Sequence, residues 1–332
     1  MGGLVIYVVG AIAATLAPTI ELMILARLLW GIGAAGPCVA TTVMIRDAYE
    51  GTEMARQMSM IMAVFLVVPT IAPAVGTALL AVGSWHLVYL GCAVAVLAAW
   101  FRLPATMPVE ARRSVSMREV GGSTWTVLST PGSAGYLIGL TALFASFTAY
   151  LGSCEIIIDE VFGLSDWFAL IFGGVAIVMA VGMIMNGRIV ARIGLVSTLK
   201  VVTAALLISN AVAIGAAVLT DGTPSLLVYL LALTPVIVFV QMPGPNINAA
   251  FMQPLGHVAG VAAAVIAMVP LVVGALLGNV VNDAFDGTIT PMMIGFAVAA
   301  VITAGTLAWS NSARLSTISN EPAREMSIVV GD

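Results

Sequence analysis

Arg27 stands inside the apolar stretch Ala26-Arg27-Leu28-Leu29-Trp30-Gly31-Ile32-Gly33-Ala34-Ala35. A guanidinium facing hydrocarbon costs about 2.5–3.5 kcal/mol on insertion scales. Arg27 is therefore expected to face the interior of a helical bundle, paired with a carboxylate or with helix carbonyls. The alternative is a side chain that snorkels outward to interfacial phosphates. Gly31 lies one helical turn further on the same face, where the missing side chain lets another helix or a ligand approach. A second feature is Val68-Pro69-Thr70-Ile71-Ala72-Pro73-Ala74-Val75-Gly76-Thr77. Pro69 and Pro73 each remove a backbone donor, and their i, i+4 spacing puts a kink between two prolines on one face. Gly76 continues that face as a groove for tight packing. A third set consists of charges at helix ends: Arg46 and Asp47, then Arg188 and Arg192 between Gly187 and Gly194. Such charges can pair in one conformational state and separate in another. Ordinary cytoplasmic placement accounts for Arg188 and Arg192 equally well.

The elements that must position these residues follow from composition. Apolar residues make up 61% of the 332 and charged residues only 8%, against about 25% charged in a soluble domain. The solvent for such a chain is a bilayer. Crossing about 30 Å of hydrocarbon takes about 20 helical residues. That length divides the sequence into ten apolar runs: 2–18, 20–45, 57–81, 84–101, 134–154, 166–189, 199–220, 224–250, 256–281 and 287–310. Residues 1–101 then form an N-terminal half of four spans and residues 134–310 a C-terminal half of six. A polar connector, 102–133, separates them, and a polar tail, 311–332, follows.

Threading the runs puts Arg27 inside a helix and the other eleven of the twelve Lys and Arg residues on one face. Glu21, Glu155, Asp159, Glu160, Asp166, Asp221, Asp283 and Asp286 fall on the opposite face. The basic face is cytoplasmic by the positive-inside rule, so both termini are expected in the cytoplasm of a multi-pass inner-membrane protein. The net charge of −4 argues against a nucleic-acid partner. Cys38, Cys92 and Cys154 read as free thiols. His86 and His257 lie near opposite faces and form no metal pair. No phosphate loop, zinc-protease motif or nucleophile elbow is present, so no cofactor and no metal are expected. Gly274 and Gly278, like Gly256 and Gly260, have the spacing that lets helices pack closely.

Taken together, the motifs resemble the Bcr/CflA drug-resistance branch of the major facilitator superfamily. The resemblance rests on Ala26-Arg27 with Gly31 and Gly33, Arg46-Asp47-Ala48-Tyr49-Glu50, and Ala72-Pro73 with Gly76. It continues through Ala149-Tyr150-Leu151, Glu160-Val161-Phe162-Gly163-Leu164-Ser165, Asn186-Gly187-Arg188 to Arg192-Ile193-Gly194, and Pro245-Asn246. Pro254-Leu255-Gly256-His257-Val258-Ala259-Gly260 completes it. Thr77 stands where the antiporter motif usually has a second glycine, and Glu155 where small residues are usual.

The resemblance implies an all-α helical bundle of the facilitator type. It also implies that Arg27, Gly31 and Gly33 belong to the proton-coupling and substrate path. Pro69, Pro73 and Gly76 would form the antiporter hinge. Arg46, Asp47, Gly187, Arg188, Arg192 and Gly194 would form a cytoplasmic gate. The family's first two helices have no counterpart here, so the sequence is expected to be an N-terminally truncated member.

The activity implied is proton-coupled efflux of drugs or other small apolar or cationic compounds by alternating access, through a monomer whose partners are substrate, protons and lipid. A facilitator-type exporter of an amino acid, sugar or siderophore is the nearest alternative, and a non-transporting membrane fragment another. A membrane enzyme would need catalytic groups clustered at one depth, where Arg27 stands nearly alone.

Overall fold

The computed structural model describes residues 2–48, 72, 75–101, 117–130 and 132–329. Among them every regular element is helical, as the continuous apolar runs demand. Hydrocarbon offers no partner for a free N–H or C=O, so each crossing segment must satisfy its own backbone. The chain divides into two compact units, Met1–Arg113 and Ser114–Asp332.

Unit 1 contains α1 (Gly2–Thr15), α2 (Ile20–Ala48), α3 (Val75–Val82) and α4 (His86–Trp100). Helix α1 packs along α2 and also against α4. The α1–α2 contact is close because Gly33 is buried against the backbone of Tyr7, where a Cβ would collide. Helices α3 and α4 meet at 118° across a break at residues 83–85. The chain closes that corner with a bond from the Leu87 N–H to the Ser84 carbonyl, 3.0 Å.

Unit 2 opens with α5 (Met117–Ser129), then α6 (Ser133–Ile156), α7 (Phe168–Ile193), α8 (Leu195–Leu219) and α9 (Leu226–Gln241). It closes with α10 (Pro243–Met252), α11 (Ala259–Asp283) and α12 (Thr290–Val329). Helix α6 is central, packed on α11 and α12. Gly274 and Gly278 carry the α6–α11 contact: a Cβ on Gly278 would lie 2.7 Å from the Ala145 carbonyl oxygen. Gly260 does not repeat this role, since a Cβ there would meet nothing within 4 Å. The core includes Tyr150, Tyr229, Phe251 and Phe296, all nearly inaccessible. Buried hydroxyls of Thr141, Ser146 and Thr303 donate to the carbonyl four residues back. That is the usual way for a hydroxyl to be satisfied inside an apolar helix.

Seven of the described helices are long and apolar enough to cross a bilayer, or eight if the α3–α4 pair counts as one bent span. Six lie in unit 2, where six are expected: Ser133–Val161, Ser165–Ile193, Leu195–Leu219, Leu226–Leu255, Gly260–Asp283 and Thr290–Ser310. In unit 1, Ile20–Pro37 qualifies, and α1 at 14 residues is shorter than a full crossing. The run 57–81 lies mostly outside the described residues. Two segments that the sequence marks only as polar contain helix. Part of the 102–133 connector is the 13-residue helix α5. The tail continues α12 as helix to Val329.

Candidate functional site

Helix α2 carries Arg27 about 10 Å in from its first residue, by helical rise. Its side chain turns toward α4, where a guanidinium nitrogen, Nη2, donates a hydrogen bond to the Tyr89 hydroxyl. The guanidinium carbon also lies 5.3 Å from the centroid of the Tyr89 ring, within cation–π range. The Tyr89 hydroxyl in turn faces the Met23 sulfur at 3.9 Å, one helical turn before Arg27. The partner found is thus a phenol, not the carboxylate or carbonyl expected. A phenol solvates a cation without cancelling its charge.

Tyr89 belongs to a row of rings. Trp85 meets it edge-on at 5.8 Å, and Trp30 at 5.6 Å on its other side. Trp30 then meets Tyr7 of α1 at 5.3 Å. At the opposite end Trp85 stacks on His86 at 3.8 Å, and the His86 Nδ1 lies 2.8 Å from the Ser84 hydroxyl. Three helices of unit 1 therefore share one aromatic seam, with Tyr89 only 8% accessible and Arg27 on the exposed side of it. Edge-to-face rings contribute about 0.5–1.5 kcal/mol per pair beyond their buried area. The seam fixes the Tyr89 ring, and that ring fixes the guanidinium.

The other predicted positions are distributed as follows. Gly31 is open, with space where a Cβ would go, whereas Gly33 is consumed by the α1–α2 contact. Gly76 is in α3 and also faces open space. Pro69 and Pro73 lie outside the described residues. Arg46 and Asp47 fall in the last turn of α2, and their side chains are not described. In unit 2, Arg188 and Arg192 are exposed on the last turns of α7. Gly187 is open. Gly194 joins α7 to α8 with φ 77°, a left-handed value that favours glycine. The Thr198 hydroxyl closes this corner on the Gly194 carbonyl at 2.7 Å.

Sequence reasoning passed over two sets of residues. Tyr89 was legible only by depth: it is the fourth residue of α4, near the same end as Arg27, and four residues after Trp85. The other set is an amide pair. Asn246 donates to Asn186 at 2.9 Å, and Asn186 returns the contact at 3.5 Å. Asn246 also donates to the Met242 carbonyl, 3.2 Å, behind the break between α9 and α10. Both asparagines belong to motifs noted in the sequence, and the structure shows that those motifs meet. The Ala149-Tyr150-Leu151 and Val161-Phe162 segments serve packing. Tyr150 stacks on Phe172 at 5.7 Å, and Phe162 leans on Tyr229 at 5.1 Å. Among the described residues no three His, Cys, Asp or Glu side chains cluster as a metal site requires. Cys92 and Cys154 are free thiols.

Among the described residues, a helical bundle with several apolar spans, one of them holding a cation against an aromatic seam, has the make-up of a membrane carrier. A family profile described as Major Facilitator Superfamily matches residues 1–278, and the chain belongs to that superfamily of secondary active transporters. It is 25% identical over 315 residues to the uncharacterized MFS-type transporter YdgK of Bacillus subtilis (strain 168), covering 92% of this chain and 76% of that protein. It is 24% identical over 285 residues to a bicyclomycin resistance protein homolog of Haemophilus influenzae, covering 83% and 70%. To the multidrug resistance protein D of Escherichia coli (strain K12) it is 26% identical over 168 residues, 49% of this chain and 42% of that protein. The fold also resembles an outward-facing bacterial homologue of the iron transporter ferroportin, with TM-score 0.63 and 13% identity over 93% of this chain and 82% of that one. FucP in its outward conformation gives TM-score 0.61 and 13% identity over 93% and 81%. At such identities these two structures speak to the fold alone.

Proposed function

We propose that this chain is a proton-coupled exporter of the Bcr/CflA type, moving small apolar or cationic compounds, drugs among them, out across the inner membrane by alternating access. The observation that carries the reading is Arg27, a cation in a membrane helix whose partner among the described residues is the neutral Tyr89. A cation placed within a membrane span needs a counter-event in the cycle. Binding and release of a proton nearby is that event, because it changes the electrostatic cost of each state and so shifts their populations. Two relatives named for drug resistance support the substrate class. In the same reading both chain ends are cytoplasmic, because all the basic residues outside α2's interior thread to one face. Pro69, Pro73 and Gly76 form the hinge, and Gly31 opens onto the path. Arg46, Asp47, Arg188 and Arg192, with Gly187 and Gly194, serve a cytoplasmic gate.

The test is uptake of a fluorescent cationic drug into everted inner-membrane vesicles energised by a proton gradient. The wild type is expected to accumulate the drug and to lose accumulation when the gradient is collapsed. Arg27→Ala is expected to abolish gradient-driven uptake while leaving drug binding measurable. Full gradient-driven uptake by Arg27→Ala would sink the coupling role.

A further inference from the structure

His86 is one of two histidines in the chain, and it sits half-buried at the corner between α3 and α4. The backbone of that corner is fixed on both sides. The Gly83 N–H donates to the Leu79 carbonyl at 3.0 Å, and the Val88 N–H to the Trp85 carbonyl at 3.1 Å. The imidazole is held twice. The Trp85 indole lies flat against it, with centroids 3.8 Å apart and planes 24° from parallel, and the Ser84 hydroxyl lies 2.8 Å from Nδ1.

These contacts suit a group that gains and loses a proton. A hydroxyl donates to a bare Nδ1 and accepts from a protonated one, so Ser84 pairs with imidazole and imidazolium alike. An indole face attracts a cation through its quadrupole, so protonation tightens the stack on Trp85. Trp85 is also the ring that meets Tyr89 edge-on at 5.8 Å, and Tyr89 holds the Arg27 guanidinium. Three contacts thus lead from the corner imidazole to the cation of α2. The elements around it bring few other titratable or charged groups. Helix α3 has none over Val75–Val82, α1 has Tyr7, α2 brings Glu21 and Arg27, and α4 itself has Tyr89 and Cys92. Glu21 is exposed in the first turn of α2. Histidine is the side chain whose charge changes between about pH 5 and 8, so His86 is the member of this set that answers to proton concentration.

We infer that His86 is a proton-binding site on the outer side of unit 1, and that its occupancy is passed through Trp85 and Tyr89 to Arg27. The inference rests on the orientation and the proton coupling proposed above, and it names the acceptor that such coupling needs. His86 acts on Arg27 through two rings and is therefore a positioning residue. Acid outside charges the imidazole, firms the stack and holds Arg27 against Tyr89. Loss of the proton loosens all three contacts.

The site itself is tested by NMR on the full chain in nanodiscs, with isotope-labelled histidine and His86→Gln to assign the two signals. The His86 ring signals are expected to move over about pH 5–8. Trp85→Leu is expected to weaken proton binding there about two- to fivefold, the range a cation–π contact gives at an exposed site. An unchanged His257 signal in each variant shows that the fold is kept. A His86 signal that ignores pH, or a titration indifferent to Trp85→Leu, would overturn the site.

Transmission is read in everted vesicles, whose lumen meets the outer face, by varying pH at a fixed pH difference across the membrane. Wild-type drug uptake is expected to rise as the lumen is acidified through the same range. His86→Gln should transport with a flat profile, and His86→Arg, a permanent cation at this position, should keep the acid-side rate throughout. A wild-type profile in His86→Gln would overturn the transmission. Full uptake by Arg27→Ala would instead sink the coupling reading, while the NMR titration still decides whether the proton site exists.

Discussion

Arg27 in unit 1 meets a phenol across two helices, whereas three contacts in unit 2 join helices through neutral groups alone. Asn186 pairs with Asn246, Ser153 donates to Asn282 at 2.7 Å, and Thr303 reaches the Gly139 carbonyl at 3.3 Å. Each of these contacts bridges two helices and satisfies both sides, which makes it a fastener. Arg27 is bonded too, but its partner among the described residues is neutral, and in the proposed coupling role its energy depends on what else enters the site. Neutral, mutually satisfied pairs hold helices in register. A charge with a neutral partner senses state. In the proposed coupling role, the difference separates contacts that hold helices in register from a charge that answers to the transport cycle.

The comparison breaks first if Arg27 proves dispensable. Removing it is expected to give the largest effect, loss of gradient-driven transport by about tenfold or more, the loss expected when about 1.4 kcal/mol or more of coupling energy disappears. Vesicle uptake at fixed gradient measures it. Next in size is Gly278→Leu. Its side chain would strike Ala145 and Thr148, and overpacking of this kind costs about 1–3 kcal/mol. A clear drop in melting temperature in detergent, with little change at Gly260→Leu, would confirm that only one of the two glycine pairs joins helices.

Asn246→Leu comes third. It strands the Asn186 amide, and interhelical pairs in membranes are worth about 0.6 kcal/mol on average and up to about 1.7. A double-mutant cycle with Asn186→Leu should return a coupling in that range. A coupling of zero would mean the pair fastens nothing. Tyr89→Phe is expected to be mildest, because it keeps the ring under the guanidinium and removes only the hydroxyl. Transport should persist at a reduced rate, while Tyr89→Leu, which removes the ring as well, should approach the Arg27→Ala result. Equal transport by both Tyr89 variants would show that the cation–π contact does nothing for function.

Hydropathy alone located the helices of unit 2, since a run of about 20 apolar residues in lipid has no choice but to bond its own backbone. The same logic singled out Arg27, because a charge in such a run is costly wherever it points. Gly274 with Gly278 was readable as a contact, because their spacing on one helix face lets another helix approach. What the sequence could not decide was which side chain answers which. Asn186 and Asn246 are sixty positions apart, and Arg27 and Tyr89 are sixty-two. Local periodicity gives the depth of a residue in its own helix, but not the rotation of that helix against its neighbours. Only tertiary packing sets the rotation, and with it the exchange of an expected carboxylate for a phenol. The same reason explains α5: its short, weakly apolar sequence is helical because the buried Val127 and the Gly132 corner before α6 seat it on unit 2, and nothing in the segment by itself would have kept it folded.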